Sequence, residues 1–392
     1  MNPSAGAVVF ILGIIAFYAV GTWYVGIDMS ARTRSDMILL PWLSVTGVAI
    51  GSVFFCHRSP TLFLDGRGRI AVYGITLIFL AFCILSIASA PSLPVLEAWK
   101  GASPAEIAVS RENFLKAREG WAAILPYANG VLTATILPYS MCIAILRRYR
   151  FRWLIVALFF LYSIVFVEKA FFLRVFLPLM AVGVVSENRR IRLTWLFAAA
   201  IGLLMANILI SGFGSASGMG VGKFLLFRTL FVPISTVTDS LDYWWQAYKG
   251  VPFAGATNLI LSKLFGLPRV QFEREVFVFE WGPSETGTGS SNAAFFVEAY
   301  VNFGWFGVFF ISMLLGALIT YIGRSRDQAL RCILPLVLYG LFLGGAFGLL
   351  FGNGLLVCLL LSSILDRPIL PATASPPQVS TSEESAVASS AL

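Results

Sequence analysis

Few residues in this chain can do chemistry, and most of them stand beside long apolar runs. Glu168, Lys169 and Arg174 form one group, at a short turn between two apolar stretches. Lys169 and Arg174 are five residues apart, about 1.4 helical turns, so both can face one cavity. They read either as a snorkelling pair with Glu168 as counter-ion or as a cationic anchor for a phosphate. Arg174 sits a turn inside the membrane boundary, which favours the phosphate. Arg228 stands alone in the apolar run from Lys223 to Pro233. It requires a carboxylate, a phosphate or backbone carbonyls as partner, and Asp239 and Asp242 are near in sequence. Glu298 lies between Phe295 and Tyr300 at the start of another apolar run. It can accept a proton or pair with Arg174 or Arg228. Asn302, Gly304 and Gly307 follow it, and glycines so spaced permit close helix contact or a kink. Tyr243, Trp244, Trp245 and Tyr248 cluster beside Asp239 and Asp242. Such rings populate membrane interfaces singly, and four together point to a glycan-facing surface.

Metal chemistry has little to work with. His57 is the single histidine, and the five cysteines form no CxxC pair. No cofactor and no metal site is expected.

The elements that must position these residues are membrane helices. The chain has 392 residues, 58% hydrophobic and only 12% charged, with a mean hydropathy of +0.83. A soluble enzyme of this size would need about twice that charge to cover its surface. The net charge of +8 sits in short clusters between apolar runs, which excludes a nucleic-acid-binding face. A bilayer crossing takes roughly 20 apolar residues. Spans are predicted near 6–26, 37–56, 70–90, 122–146, 153–167, 171–186, 193–211, 292–322, 332–350 and 353–366. The last two share one apolar stretch, turned at Gly352-Asn353-Gly354 or else broken by a re-entrant piece. Arginines cluster after the second, fourth, sixth and eighth spans, at Arg58 to Arg69, Arg147 to Arg152, Arg189 to Arg192 and Arg324 to Arg331. The positive-inside rule then puts both termini in the cytoplasm. Arg32 and Arg34 run against it.

The fold class is therefore an all-α polytopic integral membrane protein of about ten transmembrane helices. Residues 1–367 form one transmembrane domain and 368–392 a disordered cytoplasmic tail rich in Pro, Ser and Thr. Two extracytoplasmic segments are expected, 91–121 with a short surface helix over 103–119, and the large late loop 212–291. A loop that long is more often functional than idle.

With these elements in place, the chain resembles the Wzy family of O-antigen and oligosaccharide-repeat-unit polymerases. Ten or more spans with a large late outer loop carry part of the resemblance, and Lys169 and Arg174 at the outer ends of short middle spans carry another. The sharpest part is the stretch from Thr286 to Gly307, a Thr/Gly-rich loop followed by Glu298, Tyr300, Asn302, Gly304 and Gly307. The related O-antigen ligases use an outer-loop histidine, which this chain lacks. The resemblance implies transfer of a growing glycan from undecaprenyl diphosphate to a second lipid-linked repeat unit, at the outer face of a bacterial cytoplasmic membrane. Arg174, Arg228 and Lys169 would then meet the diphosphate, and Glu298 or Asp239 would take the acceptor hydroxyl's proton. Tyr243, Trp244, Tyr300 and Asn302 would line the glycan. Membrane lipids and a chain-length regulator protein are the implied partners. A flippase of the same lipid-linked oligosaccharide is the rival reading.

Overall fold

A computed structural model describes residues 5–22, 29–54, 68–115, 120–165, 169–185, 231–282, 291, 293–325 and 327–365. Among them the secondary structure is helical, without strands. The predicted span at 193–211, Glu168, Arg228, His57, the Thr/Gly-rich loop and the 368–392 tail lie outside the described residues.

The first apolar stretch is α1 (Ala5–Ile14), continued by a π-helical turn over Ile15–Val20. It is followed by α2 (Ala31–Phe54) and α3 (Gly68–Ala88). Two short helices, α4 (Pro94–Trp99) and α5 (Pro104–Leu115), come next. Ser103 and Glu106 form a capping box at the start of α5. The Ser103 amide donates to the Glu106 carboxylate at 2.6 Å, and the Glu106 amide to the Ser103 hydroxyl at 3.3 Å. A single run over Gly120–Leu146 contains α6 (Leu125–Val131), a π-helical turn (Leu132–Ile136) and α7 (Leu137–Leu146). Then come α8 (Arg152–Val165), α9 (Lys169–Val185), α10 (Val232–Tyr248), α11 (Leu259–Leu264) and α12 (Phe272–Trp281). The chain re-enters the apolar body through α13 (Phe295–Arg324), α14 (Gln328–Leu343) and α15 (Leu355–Leu365). Four helices are long and apolar enough to cross a membrane, at Ala31–Val53, Gly68–Ala88, Gly120–Leu146 and Phe295–Arg324, and shorter apolar helices accompany them. The protein is membrane-embedded.

The central packing is α2 on α13. Small residues make it possible. A Cβ on Gly47 would come within 2.7 Å of the Phe309 carbonyl oxygen, and one on Gly316 within 2.8 Å of the Val48 Cα. Between helices in lipid, such close approach supplies the dispersion contact that water-driven burial cannot.

Contacts sort the helix ends onto two faces. At one, the Tyr139 hydroxyl donates to Asp327 at 2.5 Å and Ser362 donates to the same carboxylate at 2.9 Å. Asp327 also caps α14 through the Ala329 amide at 2.9 Å. At the other, the Tyr18 hydroxyl donates to the Phe342 carbonyl at 2.6 Å; Thr135, one turn before Tyr139, donates to the Asn353 carbonyl at 2.7 Å between the two. The helix α15 has 11 residues, roughly 16 Å of rise, shorter than a bilayer crossing. The predicted turn at 352–354 is longer than expected. It opens at Gly344, in extended conformation, and includes a π-helical turn over Gly348–Gly352 before Gly354 at φ +73°.

Candidate functional site

The outer segment α10–α12 is fixed to the membrane helices by two devices. The first is a break inside α13, at Gly304, whose φ of 67° and ψ of −159° belong to glycine alone. The break interrupts the helical ladder, and the outer segment takes up the carbonyls above it. The Phe253 amide donates to Val301 at 2.9 Å and the Ala254 amide to Asn302 at 2.8 Å. The Asn302 side chain completes the joint. Its amide oxygen accepts from the Gly255 amide at 3.1 Å, and its nitrogen donates to Thr257 at 2.7 Å and to the Glu298 carbonyl at 2.8 Å.

The second device is a clasp on α2. Asp36 accepts from the Trp245 indole at 2.8 Å and from the Tyr300 hydroxyl at 3.4 Å. Arg32 lies 3.6 Å from the Trp245 ring centroid, a cation–π contact. Thr33 donates to Asp242 at 2.5 Å. Arg32, which counts against the positive-inside pattern, is thereby held by an aromatic face.

Beside the Asn302 joint, bordered by Thr257 and Val301, opens a cavity of about 500 Å³. Arg269, Glu273 and Arg274 line it, with Glu298, Val297 and Val301, Gly345 and Gly348, and Glu112 and Tyr127. Both arginines are exposed at its mouth. One Glu112 carboxylate oxygen is buried with no hydrogen-bond partner among the described residues. A second, shallower cleft of about 560 Å³ shares Arg269 and Arg274 and adds Tyr243, Glu275 and Phe279.

Glu298 is where sequence reasoning put it, at the head of α13, but its partner is backbone. Its carboxylate accepts from the Phe347 amide at 3.4 Å, at the point where helix resumes after Gly344. A Cβ on Gly345 would collide with that carboxylate as it stands, so a larger residue would have to displace it. Arg174 stands elsewhere. It donates to Thr133 at 2.8 Å, on the π-helical turn that continues α6, the helix that brings Tyr127 to the cavity. Lys169 opens α9.

The expectation of a glycan-facing aromatic surface is corrected for two residues. Trp244 is 2% exposed and its indole donates to the Val251 carbonyl at 3.1 Å. Tyr300 is buried, its ring 5.0 Å from Trp244 and 4.9 Å from Trp305. Neither has a free face for a sugar. Asn302, expected to line the glycan, is likewise buried and fully occupied by the joint. Tyr243 does border a cleft, although its hydroxyl lies 3.2 Å from Glu275, which also takes the Tyr248 hydroxyl at 2.5 Å.

Asp239 is not among the residues lining the cavity. The Ser235 hydroxyl lies 3.1 Å from Asp239 and 3.2 Å from Glu280, and Ser291 donates to Glu280 at 2.7 Å. Burial, then the Glu280 and Asp242 charges, push the Asp239 carboxyl up to about 6, against the Ser235 hydrogen bond.

Sequence reasoning missed Arg269, Glu273, Arg274 and Glu112. Arg269 to Glu275 is the most densely charged stretch of the outer segment, a signal that was available. Asp36 carried the same signal that marked Glu298, a carboxylate at the end of an apolar run. No protein-family model, curated protein or solved structure matches this chain.

Proposed function

We propose that the protein polymerises lipid-linked oligosaccharide repeat units, transferring a growing glycan from a polyprenyl diphosphate to an acceptor unit. One observation carries the reading: a cavity of about 500 Å³ with two arginines at its mouth and carboxylates inside, set where the outer segment meets the apolar helices. A lipid-linked donor has its tail in the bilayer and its diphosphate at that junction. The acceptor hydroxyl oxygen attacks the anomeric carbon, and the bond from that carbon to the diphosphate oxygen breaks. The hydroxyl proton passes to a carboxylate, and the diphosphate leaves with the negative charge. Arg269 and Arg274 stabilise that charge. Glu298 is the base and Glu273 stands beside it in the same cavity. The unpartnered Glu112 oxygen offers a sugar hydroxyl an acceptor. Arg174 buttresses the α6 wall through Thr133.

One observation favours the transport reading. Helix is broken at Gly304 and again at Gly344, and facing broken helices are common at transporter sites.

The test is the glycan profile of a deletion strain complemented with wild type or with Arg269→Ala plus Arg274→Ala, membrane levels being checked. Wild type restores long chains. The double variant leaves single-repeat glycan, with turnover down on the order of a hundredfold or more, the loss typical of removing charge-stabilising donors. Repeat units stranded on the cytoplasmic leaflet of the deletion strain would establish transport instead. Full restoration by the double variant would remove the arginines from the site and leave the reaction standing.

A further inference from the structure

We infer that the outer segment around α11 rests in the lipid headgroup layer, its apolar side chains seated on the bilayer surface beside the cavity. The inference stands independently of the reaction proposed above.

The depth follows from α13. This helix has 30 residues, about 45 Å of rise, whereas the hydrocarbon core is about 30 Å thick and takes roughly 20 residues. Arg324 in its last turn marks one boundary, because a charged end belongs in water. Twenty residues back, by that rough measure, is Trp305. It is 39% exposed, and Phe306 beside it is 80% exposed. A half-exposed tryptophan followed by a lipid-facing phenylalanine is the pattern of an interface. Gly304 therefore breaks the helix at the hydrocarbon boundary, and Val301 and Asn302 lie just beyond it. Those two carbonyls bind the Phe253 and Ala254 amides, which ties the segment to headgroup depth.

The side chains suit that depth. Leu264 is 72% exposed, Val251 63%, Phe265 55% and Ile260 46%. All four are large apolar side chains left open on the outer segment. In water such a patch would be costly, and at a bilayer surface it buries itself. Lys263, exposed in the last turn of α11, is placed among lipid phosphates. The cavity mouth formed by Arg269 and Arg274 follows within a few residues of chain, so a lipid-borne ligand reaches it from the membrane surface.

The experiment is spin-label accessibility on purified protein reconstituted in phospholipid vesicles, with Cys56→Ser and Cys83→Ser to leave only buried native thiols. Labels are placed by Leu264→Cys, by Val251→Cys as a second site, and by Glu273→Cys as an exposed reference on α12. The labels at 264 and 251 should collide with oxygen more than with a water-soluble nickel complex, and be relaxed most by a nitroxide-quenching metal ion chelated to the headgroup. The label at 273 should show the reverse preference. Water-like accessibility at both 264 and 251 overturns the inference. Immobile labels reached by neither agent also overturn it, because a protein surface would then cover the patch.

Discussion

The proposed reaction asks of Glu298 a second task beside the hydrogen bond it makes, and the two can be separated by substitution. As a cap it needs only an oxygen that accepts from Phe347. As a base it needs a carboxylate that takes a proton. Glu298→Gln keeps the first and removes the second. The variant should melt within a degree or two of wild type, since one accepting hydrogen bond is worth about 1 kcal/mol and is retained. It should nevertheless leave only single-repeat glycan in the complemented strain. Long chains from this variant would return Glu298 to a purely structural role. Asp239 makes a pH-dependent prediction outside the membrane. Its carboxyl is raised from 3.8 to about 6, so the folded protein holds this proton more tightly than the unfolded chain. Stability from the group is full below about 3.8 and is lost as pH rises through 6. Asp239→Asn should remove that slope and leave the variant more stable than wild type above pH 6, by about 1 kcal/mol once the solvent screening of a half-exposed group is allowed for. Thermal melting of both proteins across this range checks it. Parallel curves would mean that burial and the Glu280 charge do not hold the proton as inferred.

At the scale of elements, the joint at Gly304 carries the site. A Cβ there meets nothing within 4 Å, so Gly304→Ala acts through backbone strain alone, of order 1–3 kcal/mol. The expected result is faster amide exchange at Phe253, Ala254 and Gly255, with helices α8 and α9 unaffected. Unchanged exchange there would show that the break is not what docks the outer segment. Four of the predicted spans were readable because apolar length is dictated by the bilayer: helices long and apolar enough to cross overlap 37–56, 70–90, 122–146 and 292–322. The motif from Glu298 to Gly307 was readable as special, but its work was not. Asn302, Tyr300 and Gly304 join elements more than 40 residues apart in sequence, and no periodicity records such partners. The same limit hid Arg269 and Arg274. Their charge was visible, whereas their neighbours Glu298 and Gly345 became so only when two helix breaks were brought together. Trp244 misled for a related reason: an aromatic type says that a ring will be buried or stacked, and not on what.

For the whole molecule, the sorting of helix ends onto two faces is the statement with the widest consequences. The clasp joins residues 32–36 to α10, and the joint at Asn302 adds the segment 253–257, so these belong to one face with the cavity. Asp327, Tyr139 and Ser362 converge at the opposite end, where Arg69 also lies 5.5 Å from the Tyr149 ring centroid. Arg147 to Arg152, Arg324 and Arg331 stand at that end of their helices. Positive charge is retained on the cytoplasmic side during insertion, so the second face should be cytoplasmic and the cavity should open away from it. Reporter fusions decide this. An export-dependent phosphatase fused after Trp99 or after Gly266 should be active, and one fused after Tyr149 or after Ser325 inactive, with a fluorescent cytoplasmic reporter giving the inverse. A phosphatase active after Tyr149 and silent after Gly266 would invert the molecule. The cavity would then face the cytoplasm, where a polymerase acting on exported repeat units has no substrate, and the proposed reaction would fall with the orientation. Agreement at all four positions would leave the two arginines at the only face where a translocated lipid diphosphate is presented.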